Sequence, residues 1–208
     1  ADRHGMPAFR RVMRAVADAW TERHNEVVDQ ADRLVNAISR TLPPGSELPG
    51  DEAIHSAYAE LRRRFDPVNG GFGASPKFPQ GPNLELLLRL AGTPSAPDAA
   101  DMLSTSLRAM APGGIHDQLG GGFARYSVDD RWLIPHFEKM LYDNAQIARL
   151  YLRAGQVLSD PGLLAVAEST LDYLRSDLRA PQGGFFSAED ADSDGVEGKF
   201  YVFTSDEV

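Results

Sequence analysis

The tripeptide Gly-Gly-Phe occurs three times between helical stretches: Gly70-Gly71-Phe72, Gly121-Gly122-Phe123 and Gly183-Gly184-Phe185, 51 and 62 residues apart. That spacing is about one helical hairpin with its loops, the period of an array that stacks one supersecondary unit on the next. The stretches between have matching periodicity. Met13, Trp20, Val27 and Leu34 recur every seven residues within 7–41, widened by Phe9, Val16, Ala31 and Ile38, so one or two amphipathic helices are expected. Leu42-Pro43-Pro44-Gly45 ends that segment, and residues 42–50 read as a linker. Ile54, Tyr58, Leu61 and Phe65 mark a further helix; short helices are expected from Pro82 and Pro97, and longer ones over 135–154 and 161–180. Ser159 and Asp160 are candidate caps for the last. Aromatic stretches after the second and third Gly-Gly-Phe, 123–127 and 185–187 with 199–203, suggest small β-hairpins in the loops. The chain is therefore mainly α. The glycines alone fit equally an irregular helical domain whose helices they end.

Composition narrows the function. Thirty acids against 21 bases give a net charge of −9, which argues against nucleic acid and against an anionic membrane surface as partners. No apolar run approaches the roughly 20 residues of a membrane helix. With no cysteine, thiol nucleophiles, disulfides and Cys-bound zinc are excluded. There is no dinucleotide or phosphate-binding glycine motif, no nucleophile elbow and no His-Glu-x-x-His. Asp190-x-Asp192-x-Asp194-Gly195 has the start of a calcium loop, but Tyr201 stands where the bidentate acid belongs and the flanks read as strands. An acidic turn is expected there, with no metal and no cofactor.

Several blocks are longer and more specific. Phe65-Asp66-Pro-Val-Asn-Gly-Gly-Phe-Gly with Ser75-Pro-Lys-Phe-Pro79, Gly113-Gly-Ile-His-Asp-Gln-Leu-Gly-Gly-Gly-Phe123 with Arg125-Tyr126-Ser127, Trp132, Pro135-His-Phe-Glu-Lys-Met-Leu-Tyr-Asp143, and Ser187-Ala-Glu-Asp-Ala-Asp-Ser193 through Gly198-Lys-Phe-Tyr201 together resemble the spermatogenesis-associated protein 20-like family of thioredoxin-domain-containing proteins. The resemblance runs from about Phe65 onward. It implies part of an (α/α)6 toroid of the six-hairpin-glycosidase and N-acylglucosamine 2-epimerase type. It also implies that residues 1–44 are the helical exit of a thioredoxin-like domain in cis, with the partial toroid over 45–208. A cytoplasmic location is expected.

The reactive side chains concentrate between His116 and Asp143. If a helix begins at Pro135, His136 and Glu138 lie in its first turn, where the dipole favours a neutral, proton-accepting histidine, and Lys139 pairs with Asp143 on its surface. His136, His116 and the adjacent carboxylates Glu189 and Asp190 are the catalytic candidates. Asp117, Arg125, Tyr126 and Trp132 are the substrate-binding candidates, because saccharide sites combine an aromatic face with polar groups. The bland reading of the same residues is a packed Trp132 and Phe123 with Arg125 and Asp129 as a cross-strand pair. The expected function is acid/base chemistry on a sugar, as an epimerase, isomerase or hydrolase. The alternative is a non-catalytic ligand- or partner-binding module serving a thioredoxin-like redox domain. Self-association is expected in either case, since part of a toroid leaves helix faces open.

Overall fold

The structure is a computed structural model and describes residues 7–41 and 50–207. The chain divides into two units, within residues 1–49 and 50–208. The first contains α1 (Phe9–Glu22) and α2 (His24–Thr41), two helices broken at Arg23. Its apolar stripe, including Phe9, Met13, Trp20, Leu34 and Ile38, is exposed. The expected linker lies outside the described residues except for Gly50.

The second unit contains α3 (Asp51–Arg64), α4 (Gly81–Leu90), α5 (Ala99–Met110), α6 (Leu141–Val157) and α7 (Pro161–Ser176). Pro82 sits in the first turn of α4, Pro161 opens α7, and Asp160 caps α7 by accepting the N–H of Gly162 (2.9 Å) and Leu163 (3.4 Å). Leucines and methionines at helical spacing on α4 and α5 (Leu84, Leu87, Leu103, Leu107, Met110) meet Ile147, Leu150 and Tyr151 of α6 in one core. Phe72, Phe123 and Trp132 complete it from the loops. Among the described residues no helix is long and apolar enough to cross a membrane.

One expectation fails here. Residues 135–140 are not the start of a helix; α6 begins at Leu141. β2 (Pro135–His136) pairs antiparallel with β1 (Tyr126–Ser127), and β3 (Lys139–Met140) pairs with β4 (Ala188–Glu189). The Arg125 N–H also donates to the Glu138 carbonyl (2.8 Å). These cross-chain bonds take the backbone groups that a helix would use along itself. The acidic turn is a hairpin, β5 (Asp192–Ser193) against β6 (Val196–Glu197), with Asp194 and Gly195 both at positive φ. The expected strand at 199–203 is instead a turn and irregular chain.

The first two Gly-Gly-Phe loops are built alike. Asp66 Oδ1 accepts the N–H of Val68 and Asn69, and its Oδ2 meets the buried Lys77 ammonium at 2.7 Å. Asp117 Oδ1 accepts the N–H of Leu119 and Gly120, and its Oδ2 meets buried Lys139 at 2.8 Å. Each lysine also bonds a carbonyl, Asp130 or Gly121, and lies over a ring, Trp132 or Tyr173. Gly71 and Gly122 take positive φ, and a Cβ there would run into those same two rings. The third loop has Arg179 where the aspartate would stand six residues before the phenylalanine, and Gly184, also at positive φ, faces open space.

Candidate functional site

Successive side chains of the extended segment 135–140 point to opposite sides. Pro135, Phe137 and Lys139 face a cavity of about 240 Å³ that His116, Asp117, Gln118 and Tyr201 also line. Between Phe137 and Lys139 lies Glu138, whose Oε2 accepts from Arg125 Nη1 at 2.9 Å. His136 Nε2 stands 4.0 Å from that oxygen, while its Nδ1 is 2.7 Å from Glu197 Oε1. A carboxylate can only accept, so in the neutral ring Nδ1 carries the proton and Nε2 is the basic nitrogen. The ring stacks on Tyr126 at 4.7 Å, and Tyr126 leans on Phe78 at 4.8 Å. Phe78 and Arg125 line a second cavity of about 340 Å³ with Gln80, Tyr142, Asp143 and Gln146.

His136 therefore gets no help from a helix dipole. It is a strand residue, a quarter exposed (27%), held by an aromatic stack and a carboxylate. Arg125 pairs with Glu138, not Asp129. The Asp129 carboxylate accepts the N–H groups of Arg131, Leu133 and Ile134. Burial acts to raise that carboxyl, but these bonds outweigh it and lower it. Lys139 does not pair with Asp143 on a helix surface; it is buried on Asp117. Burial of Asp117 is likewise outweighed, chiefly by Lys139, and its carboxyl is lowered.

His116 is a core histidine. Nδ1 donates to the Ala111 carbonyl (2.9 Å), the ring stacks on Phe123 at 4.6 Å, and burial lowers its pKa, which keeps it neutral. Its Nε2 is buried and, among the described residues, has no hydrogen-bond partner. Trp132, expected as a binding face, is fully buried; its indole N–H donates to the Asn69 carbonyl at 2.8 Å. Phe123 is equally buried, so packing is what both rings do. Among the described residues Glu189 and Asp190 share no partner. Glu189 accepts from the hydroxyls of Tyr173 (2.8 Å) and Tyr201 (2.6 Å), whose phenols burial and that carboxylate push up. Asp190 is exposed and accepts the Asp192 N–H. Among the described residues no three His, Asp or Glu side chains are arranged to hold a metal ion.

The candidates thus fall into two groups. Arg125, Tyr126 and His136 come together with Glu138, and beside them lies Asp143, which burial raises to about 6. His116, Asp117 and Glu189 belong to the framework around Lys139. Sequence reasoning missed Glu197, Asp143 and the structural role of Lys139. The recurring Asp-x-x-x-Gly-Gly-Phe could have pointed to the last of these.

No protein-family model matches the chain. Spermatogenesis-associated protein 20 of Rattus norvegicus is 37% identical over 219 residues, covering 96% of this chain and 27% of that protein. The human protein of that name is 36% identical with the same coverage. This chain is a homologue of part of spermatogenesis-associated protein 20. An uncharacterized protein of Caenorhabditis elegans matches all of the chain at 32% identity and 30% of its own length. The chain thus spans under a third of these relatives. Among solved structures, a sugar epimerase from a ruminal bacterium superposes with a TM-score of 0.57 at 15% identity, over 67% of this chain and 40% of that one. Cellobiose 2-epimerase from Bacillus thermoamylovorans gives 0.56 at 11%, over 68% and 42%. At such identities the likeness concerns the fold, which is the toroid expected from the resemblance.

Proposed function

We propose that this homologue of spermatogenesis-associated protein 20 contributes a sugar-binding toroid segment that works by acid/base chemistry, as a sugar epimerase or isomerase or as a hydrolase. The observation that carries the reading is the cluster of His136, Glu138, Arg125 and Tyr126. Proton transfer on a polyol needs a group that takes protons near neutrality, a fixed donor for oxygens and an apolar ring face. His136 Nε2 is the proton acceptor, its ring set by Glu197 and Tyr126. Arg125, aligned by Glu138, is the oxygen-binding cation, and Phe78 with Tyr126 is the ring face. His116 and Glu189 act on this site only by holding its walls, and Trp132 only from the core. The epimerase fold of the structural neighbours supports the same assignment by analogy. A thioredoxin-like domain in cis and association of the chain with a second copy belong to the proposal.

Thermal shift with cellobiose and N-acetyl-D-glucosamine tests it. A saturable rise is expected, worth about 2.7 kcal/mol at a ligand concentration 100 times Kd. No response to either saccharide, with a response to a reduced thioredoxin instead, would favour a non-catalytic module serving a redox domain.

A further inference from the structure

The second cavity holds a carboxyl group that neither the loop clamps nor the His136 cluster uses. Asp143 lies in the first turn of α6, half-buried, and among the described residues its carboxyl makes no hydrogen bond. The charged groups that face it are Arg125 and Glu138. Arg125 is already held at 2.9 Å by Glu138 and also interacts with the Tyr142 hydroxyl. Its guanidinium is thus held by Glu138, while Asp143 lies beside it with no hydrogen bond among the described residues. At about 340 Å³ the space between them falls in the range of small-ligand sites. Phe78 forms one wall, and the amide side chains of Gln80 and Gln146 border it.

We propose that this cavity is a subsite for the reducing end of a pyranose, with Asp143 as the acid/base carboxyl that opens the sugar ring and Arg125 as the cation that holds its hydroxyls. The inference rests on the sugar reading above and adds to it a residue and a step. Asp143 gives its proton to the ring oxygen as the bond from the anomeric carbon to that oxygen breaks, the electron pair staying on the oxygen. The anomeric hydroxyl closes to a carbonyl, and its proton returns to the Asp143 carboxylate. The carboxyl ends as it began, and the open-chain sugar is the form whose carbonyl activates the neighbouring C–H bond. Burial raises Asp143 to about 6; the negative Glu138 adds to the rise and the positive Arg125 opposes it. Both protonation states are therefore populated near neutrality, the condition for a group that must give and take a proton.

The test is mutarotation of freshly dissolved cellobiose, followed by polarimetry with the wild-type chain and with Asp143→Asn, alongside binding of cellobiose by thermal shift. The wild type should accelerate mutarotation, most strongly near pH 6. Asp143→Asn should lose at least 100-fold of that acceleration while staying folded, with a melting temperature near neutrality no lower than that of wild type, and keeping its binding. In the wild type, the Asp143 carboxyl carbon should titrate near pH 6 by NMR and shift its midpoint when cellobiose is added. Saturable binding with Asp143→Asn as active as wild type would overturn this inference and leave the sugar reading standing. A carboxyl that titrates near 4 and ignores cellobiose would do the same. Absence of both binding and acceleration in the wild type would overturn the two together.

Discussion

Lys77→Met is the change that most severely strains the repeated loop. The lysine is fully buried and donates to Asp66 Oδ2 at 2.7 Å and to the Asp130 carbonyl at 2.9 Å, with the Trp132 ring 5.3 Å away. Methionine keeps most of the length and removes the charge, so Asp66 is left as a mostly buried carboxylate without its cation. Breaking a buried pair from one side costs about 3–5 kcal/mol. Asp66 retains 18% exposure and its bonds from Val68 and Asn69, which places the cost near the low end, about 3 kcal/mol. For a chain of this size that is a fall of about 6–12 °C in Tm. The pH dependence follows from the same groups. Burial alone would raise the Asp66 carboxyl, but Lys77 and the Asn69 and Val68 N–H groups hold it well below the usual carboxylate range. Its folded pKa lies below the unfolded one, so its contribution is complete above about pH 4 and is lost as pH falls through the folded value. Urea unfolding of the wild type, Lys77→Met, Asp66→Asn and the double variant should show a double variant less destabilised than the sum of the singles. The acid sensitivity of Lys77→Met should be reduced. Lys139→Met, the second copy of the device, should cost a similar amount. A Lys77→Met chain within 1 kcal/mol of wild type at pH 7, or strictly additive singles, would refute the reasoning.

Other outcomes follow from the same structure. Gly122→Ala puts a Cβ against the Tyr173 ring at φ +77° and should cost clearly more than Gly184→Ala at φ +78°, where space is open and only about 1 kcal/mol of backbone strain is expected; chemical denaturation of the pair compares them directly. Asp143 has its folded pKa raised to about 6, so its contribution to stability declines as pH rises from about 4 to 6 and is flat above; the difference between wild type and Asp143→Asn across that window isolates it. The apolar groove of Leu152, Leu164, Leu171 and Phe185 on α6, α7 and the third loop should drive association, so sedimentation at micromolar concentration should give a dimer or larger species, and a monomer at all concentrations would refute it.

Much of the fold was legible because helical periodicity and Gly-Gly-Phe punctuation are local signals. Met13 to Leu34 marked α1 and α2, and Pro161 after Asp160 marked α7 to its first residue. Residues 135–140 were misread because what holds them extended is remote: Tyr126 and Ser127 on one side, Ala188 and Glu189 on the other. Local preference there loses to long-range pairing. The site was legible in part for a related reason. Arg125, Tyr126 and His136 lie close enough in sequence to be grouped, whereas the Glu197 partner of His136 lies 61 residues away. Trp132 misled because an aromatic beside arginines looks the same whether it faces a ligand or the core. Lys77 and Lys139 were invisible as buried groups because lysine is almost never fully buried unless paired, and the pairing is tertiary.

The central claim is proton transfer on a sugar at His136. Incubating cellobiose with the chain in D2O and following its proton at C2 by NMR tests it most directly. Removal of that proton and its replacement from solvent must put deuterium at C2 if the chemistry is epimerase-like. The expected result is time-dependent loss of the C2 proton signal with wild type, slowed about 100- to 10,000-fold in His136→Asn at unchanged melting temperature. Loss of the signal at equal rates in wild type and His136→Asn, or no exchange in a wild-type chain that binds cellobiose saturably, would contradict it.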